Sequence, residues 1–143
     1  METFTTDKRL PRDPVRLLKI VRRCVKQCES DPNYTIYPRL YHSRLHTRDG
    51  ESTQVCTSGC VIAKFFEVPA EESFSPWDFD KRNKKILLAI DQIEIGNFEE
   101  FYRLLNKEMP EGVPKAKTSL NYGYGKTKKL RRRIKWLLQL ISE

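Results

Sequence analysis

No apolar run in this 143-residue chain approaches the roughly 18 residues that a bilayer crossing requires, which excludes a helical membrane span. The amino end, Met1-Glu2-Thr3-Phe4-Thr5-Thr6-Asp7, lacks the basic-then-apolar order of a secretory leader, so the expectation is a cytoplasmic protein. Cysteine is sparse. Four residues fit unpaired thiols in a reducing compartment at least as well as a disulfide scaffold. Repeats and low-complexity tracts are absent, and the adjacent acids, Asp78 with Asp80 and Glu99 with Glu100, read as first-turn helix charges rather than a metal cluster. Acid is scarcest near the carboxyl end. Residues 112–143 carry nine basic side chains and one acidic, against six and eleven in residues 65–111 and twelve and seven in residues 1–64. The net charge of +8 is thus concentrated in the last segment, where it suits an anionic partner or the chain's own acidic middle.

A chain of this length buries roughly 68–70% of its unfolded surface, enough for one core without staples. The apolar periodicity predicts an all-α fold, a single small domain of five or six helices. Residues 1–11 read as a flexible arm, 12–108 as the helical core, 109–126 as a loop or linker, and 127–143 as a basic amphipathic helix packing on that core. Asp13-Pro14 reads as a cap and first helical position for a helix over 14–28, with Leu17, Leu18, Val21, Cys24, Val25 and Cys28 on one face. Pro38 is read as opening a short helix that carries His42 and His46, and Thr47–Thr53 as a polar loop. The segment from Val55 to Phe66, if helical, is buried nearly all round. Ser75-Pro76-Trp77-Asp78 predicts a further helix start, Gly96 its stop, and Asn97 the cap of the next.

Cys24-x3-Cys28 and His42-x3-His46 have nearly the spacing of a two-Cys, two-His zinc finger. The competing reading makes the cysteines core residues, because both fall on the apolar face of the first helix. Cys60 near a helix start, with a histidine as base, has the elements of a thiol nucleophile, although Val61, Ile62, Phe65 and Phe66 around it favour a buried, protonated thiol. Gly125-Lys126-Thr127 ends like a phosphate-binding loop, but Leu120 stands where such a loop needs glycine.

Cys56-Thr57-Ser58-Gly59-Cys60-Val61-Ile62-Ala63 resembles the Cys-Gly-Thr…Cys-Ile-Ala-Gly motif of small phage and bacterial proteins of unknown function. The resemblance spans residues 14–66. It departs at the cysteine spacing, at Thr57 and at Lys64. It implies a phage or prophage origin, with the host cytoplasm as the compartment, and carries no mechanism with it.

The basic end supplies the functional reading. Lys126, Lys128, Lys129, Arg131, Arg132, Arg133 and Lys135, with Tyr122, Tyr124 and Trp136 interleaved, combine cations for phosphates with aromatics for base stacking. The expectation is a non-enzymatic binding protein without a cofactor. Its partner is nucleic acid or a nucleic-acid-handling host complex. The alternative is a protein-interaction module, an inhibitor of a host factor, whose basic helix docks on an acidic protein surface.

Overall fold

Helix α1 spans Pro14–Glu29 in a computed structural model that describes residues 4–37, 40–47, 50–113 and 127–142. Its start follows from Asp13, whose carboxylate accepts from the Arg16 N–H at 3.0 Å, and from Pro14, which has no N–H to leave unsatisfied. Leu17, Leu18, Val21, Cys24, Val25 and Cys28 are buried along one face, as the periodicity predicts. Each fully buried leucine or valine of this kind contributes about 1.5–3 kcal/mol.

The chain is mixed α/β, which corrects the all-α expectation. Strands β1 (Tyr34–Ile36), β2 (His42–Thr47) and β3 (Gly50–Val55) form a sheet in the order β1-β3-β2, with β1 parallel and β2 antiparallel to β3. Val55 is the partner of both Ile36 and His42. The helix expected to carry His42 and His46 is therefore a strand, and most of the expected polar loop is its neighbour. The physical reason is that a polar strand gains its stability from pairing and from tertiary burial, neither of which has a local signature. Thr53 shows this: it is fully buried in the central strand, and its hydroxyl donates to the Ala70 carbonyl.

One residue after β3, the chain enters helix α2 (Thr57–Lys64), which packs against α1 and against the sheet. Residues 57–63 are all buried, in keeping with the apolar character of this stretch. Gly59 lies where no side chain fits, since a Cβ there would sit 1.4 Å from the Tyr41 carbonyl oxygen. The start of α2 is tied to two carboxylates. Thr57 donates to Glu94 from its N–H at 3.1 Å and from its hydroxyl at 2.7 Å, and the Ser58 hydroxyl donates to Asp91 at 2.6 Å.

Ser75 and Asp78 form their reciprocal cap, but it closes only a 3-10 turn over Pro76–Asp78. Phe79 then turns extended to bury its ring, and Asp80 caps the true helix α3 (Lys81–Ile95). Gly96, with φ +81°, ends α3 in the left-handed conformation that glycine adopts without steric cost, and Asn97 caps α4 (Phe98–Leu104). Helix α5 (Thr127–Ile141) packs on α1 and α3 through Leu130, Ile134 and Leu137.

Residues 4–11, expected as a flexible arm, are docked on the fold. Leu10 is fully buried, and the Phe4 ring stands 5.2 Å from Phe74 and 5.1 Å from Phe79. Asn83 clamps this segment by accepting from Leu10 N–H at 3.1 Å and donating to the Lys8 carbonyl at 3.1 Å. Phe4 and Leu10, two large apolar side chains in a segment without periodicity, were the available signal. Val113 is buried at the start of the expected linker, and 114–126 lie outside the described residues. Among the described residues, no helix is long and apolar enough to cross a membrane.

Candidate nucleic-acid interface

Helix α5 is amphipathic, and burial of Leu130, Ile134 and Leu137 turns the opposite arc outward. At 100° per residue, Arg131, Lys135 and Arg132 fall within one 100° arc of that outer side. Arg22 of α1 joins them. The four cations line a single concavity of about 390 Å³, with no acidic or aromatic side chain in its lining among the described residues. Arg131 is fixed at its edge by Glu29 of α1, 3.4 Å away, and its Nε is buried without an acceptor among the described residues. Such an arrangement offers several N–H donors and a positive potential to an anion with several oxygens, as a chain of phosphates has.

Arg133 is elsewhere. Its guanidinium reaches back to donate to the Glu94 carbonyl at 2.5 Å, and its partial burial lowers its pKa, opposed by the nearby Glu94 carboxylate. It fastens α5 to α3 and does not belong to the cationic surface predicted for it. Lys128 and Lys129 belong to the first turn of α5, and their side chains lie outside the described residues, as do Tyr122, Tyr124 and Lys126 entirely. Trp136 packs beside Phe98, with ring centroids 6.2 Å apart, and does not line the concavity. The contribution of α1 was missed in the sequence, although its outward positions Arg16, Lys19, Arg22, Arg23 and Lys26 include no acid.

A second concavity, of about 750 Å³, lies on another flank of α1 and is lined by Arg23, Lys26 and Lys64 together with Asp31 and three neutral residues. Lys64 is held by Asp31 at 2.6 Å, and this contact keeps the Asp31 carboxyl below its ordinary range.

The fold does not set the four zinc-spaced residues on adjoining turns of a helix or hairpin. Cys24 and Cys28 lie on the buried face of α1, whereas His42 and His46 stand four residues apart in β2. Strand geometry separates such positions by about 13 Å, where a helix would bring them one turn apart. Among the described residues, no group of three or more His, Cys, Asp or Glu is placed to hold a metal ion. His42 is fully buried, which lowers its pKa, an effect opposed by the Glu72 backbone.

The cysteines are free and buried. Burial pushes the Cys24 thiol up to about 12, and the Cys56 and Cys60 thiols also rise, Cys60 aided by the adjacent Cys28. A protonated thiol in the core is a poor nucleophile. Native protein treated with iodoacetamide at pH 8 is therefore expected to gain no adduct by intact mass, and denatured protein to gain four. Rapid single alkylation of the native protein would show a reactive thiol.

No protein-family model, curated protein or solved structure matches this chain.

Proposed function

We propose that the protein binds nucleic acid non-enzymatically through the α1–α5 surface. The observation that carries this reading is the meeting of Arg22 with Arg131, Arg132 and Lys135 in one concavity whose lining holds no acid among the described residues, Glu29 being paired with Arg131 at its edge. The two helices are far apart in the sequence, and the cation that α1 adds to those of α5 supports a shared binding surface over a solvated helix face. Counterion release makes such contacts strongly salt-dependent, with a log–log slope of about −0.9 per phosphate neutralised on B-form DNA.

Fluorescence anisotropy of labelled nucleic acids, titrated from low to high salt, tests this. The parent is expected to bind with a steep salt slope. A triple Arg22→Ala, Arg132→Ala, Lys135→Ala variant is expected to flatten that slope by about 2.7, and to weaken binding about tenfold per lost contact at low salt. The exposed Lys107→Ala, a single cation that does not line the concavity, serves as a control with a small effect. The reading fails if the parent does not bind at low salt, or if the triple variant binds as the parent does. An acidic protein would then be the partner to seek by pull-down.

A further inference from the structure

Helix α1 is a cationic ridge between two concavities. Its outward positions carry Arg16, Lys19, Arg22, Arg23 and Lys26, all exposed, and α1 holds no acid before Glu29. Arg22 turns toward α5 and shares the first concavity with Arg132 and Lys135. Arg23, one residue and 100° further round, turns toward α2 and shares the second with Lys26 and with Lys64, the last paired with Asp31 at 2.6 Å. Cations therefore stand on both flanks of one helix.

We propose that α1 enters the major groove of a B-form DNA duplex, with the two phosphate backbones lying along the two concavities. This rests on the nucleic-acid reading above and narrows it to one class. The dimensions fit: an α-helix with its side chains is about 10–12 Å across, the major groove is about 12 Å wide, and sixteen residues give about 24 Å of helix. A single strand has one backbone, which one concavity satisfies. It also calls for aromatic platforms on which bases stack, and neither concavity is lined by an aromatic side chain among the described residues. An RNA duplex has two backbones but a deep, narrow major groove that side chains do not enter. Of these, only B-form DNA offers two backbones separated by the width of one helix.

Anisotropy with four probes at one salt concentration separates the cases: a random 20-base-pair DNA duplex, each of its strands alone, and the matching RNA duplex. The DNA duplex is expected to bind at least tenfold tighter than the other three. An Arg23→Ala, Lys26→Ala variant is expected to weaken duplex binding about as much as Arg22→Ala, Arg132→Ala does. Both pairs are exposed, and unchanged thermal melting by circular dichroism would confirm that the variants fold. Equal or tighter binding of a single strand or of the RNA duplex would overturn the groove assignment while leaving nucleic-acid binding in place. So would a neutral Arg23→Ala, Lys26→Ala variant. Failure of all four probes would overturn the function itself.

Discussion

Gly59→Ala is expected to abolish the native fold or to leave it severely destabilised. The added Cβ would stand 1.4 Å from the Tyr41 carbonyl oxygen and 2.5 Å from its carbon, and both are backbone atoms. A flexible side chain yields to overpacking for about 1–3 kcal/mol, but here a helix must separate from the segment that leads into β2. That segment is itself anchored, because Cys56 N–H donates to the Leu40 carbonyl at 2.6 Å. A loss above about 3 kcal/mol is expected, set against a total stability of about 5–15 kcal/mol for a domain. Urea unfolding followed by circular dichroism measures it. A midpoint equal to that of the parent would mean that the Tyr41 strap moves freely away from α2.

Asp91→Asn is expected to stabilise the protein at pH 8. Burial lifts the Asp91 carboxyl to about 7, against which the Ser58 and Tyr41 hydroxyls act, while the neighbouring Glu94 pushes the same way as burial. The unfolded chain releases this proton near pH 3.8, and the native state keeps it until about pH 7. Between those values the native state holds more protons, so stability falls as pH rises, by up to about 1.4 kcal/mol per unit, and levels off above pH 7. Accumulated over that window, the cost is on the order of 4 kcal/mol, and asparagine removes the charge while still accepting from Ser58. Asp31, Glu67 and Glu100, lowered by Lys64, Lys8 and Arg103 respectively, act in the opposite sense in both proteins. Glu94, also raised by burial, faces Asp91, so the difference between variant and parent reads Asp91 together with its coupling to Glu94. Urea midpoints from pH 4 to 8 should diverge as pH rises, and parallel curves would show that Asp91 carries no burial penalty.

The parts of the fold that were legible are those with local causes. Asp13-Pro14, Gly96 and Asn97 each mark a helix boundary by satisfying or ending hydrogen bonds within a few residues. The strands were illegible because β2 and β3 are polar and short, and their stability comes from partners elsewhere in the chain. The one-turn separation that gave His42 and His46 their finger-like spacing exists only if those residues are helical, and they lie in β2. In the candidate site, Arg131, Arg132 and Lys135 follow from the outer arc of α5. Arg133 was misassigned although the sequence held the signal: it lies three residues after Leu130 and four before Leu137, on the edge of the buried face. Arg22 was illegible as a partner, because nothing local says that α1 and α5 meet.

That meeting also ties occupancy to integrity. The concavity lined by Arg22, Arg131, Arg132 and Lys135 exists only while the amino-terminal and carboxyl-terminal helices are packed together. A polyanion gripping both helices therefore binds the native chain far better than the unfolded one, and its binding free energy is added to the stability of the whole domain. At a hundred times the dissociation constant this amounts to about 2.7 kcal/mol, comparable with the penalty of a buried charge. If this surface holds such a partner, the cellular lifetime of the chain would rise with the amount of partner present.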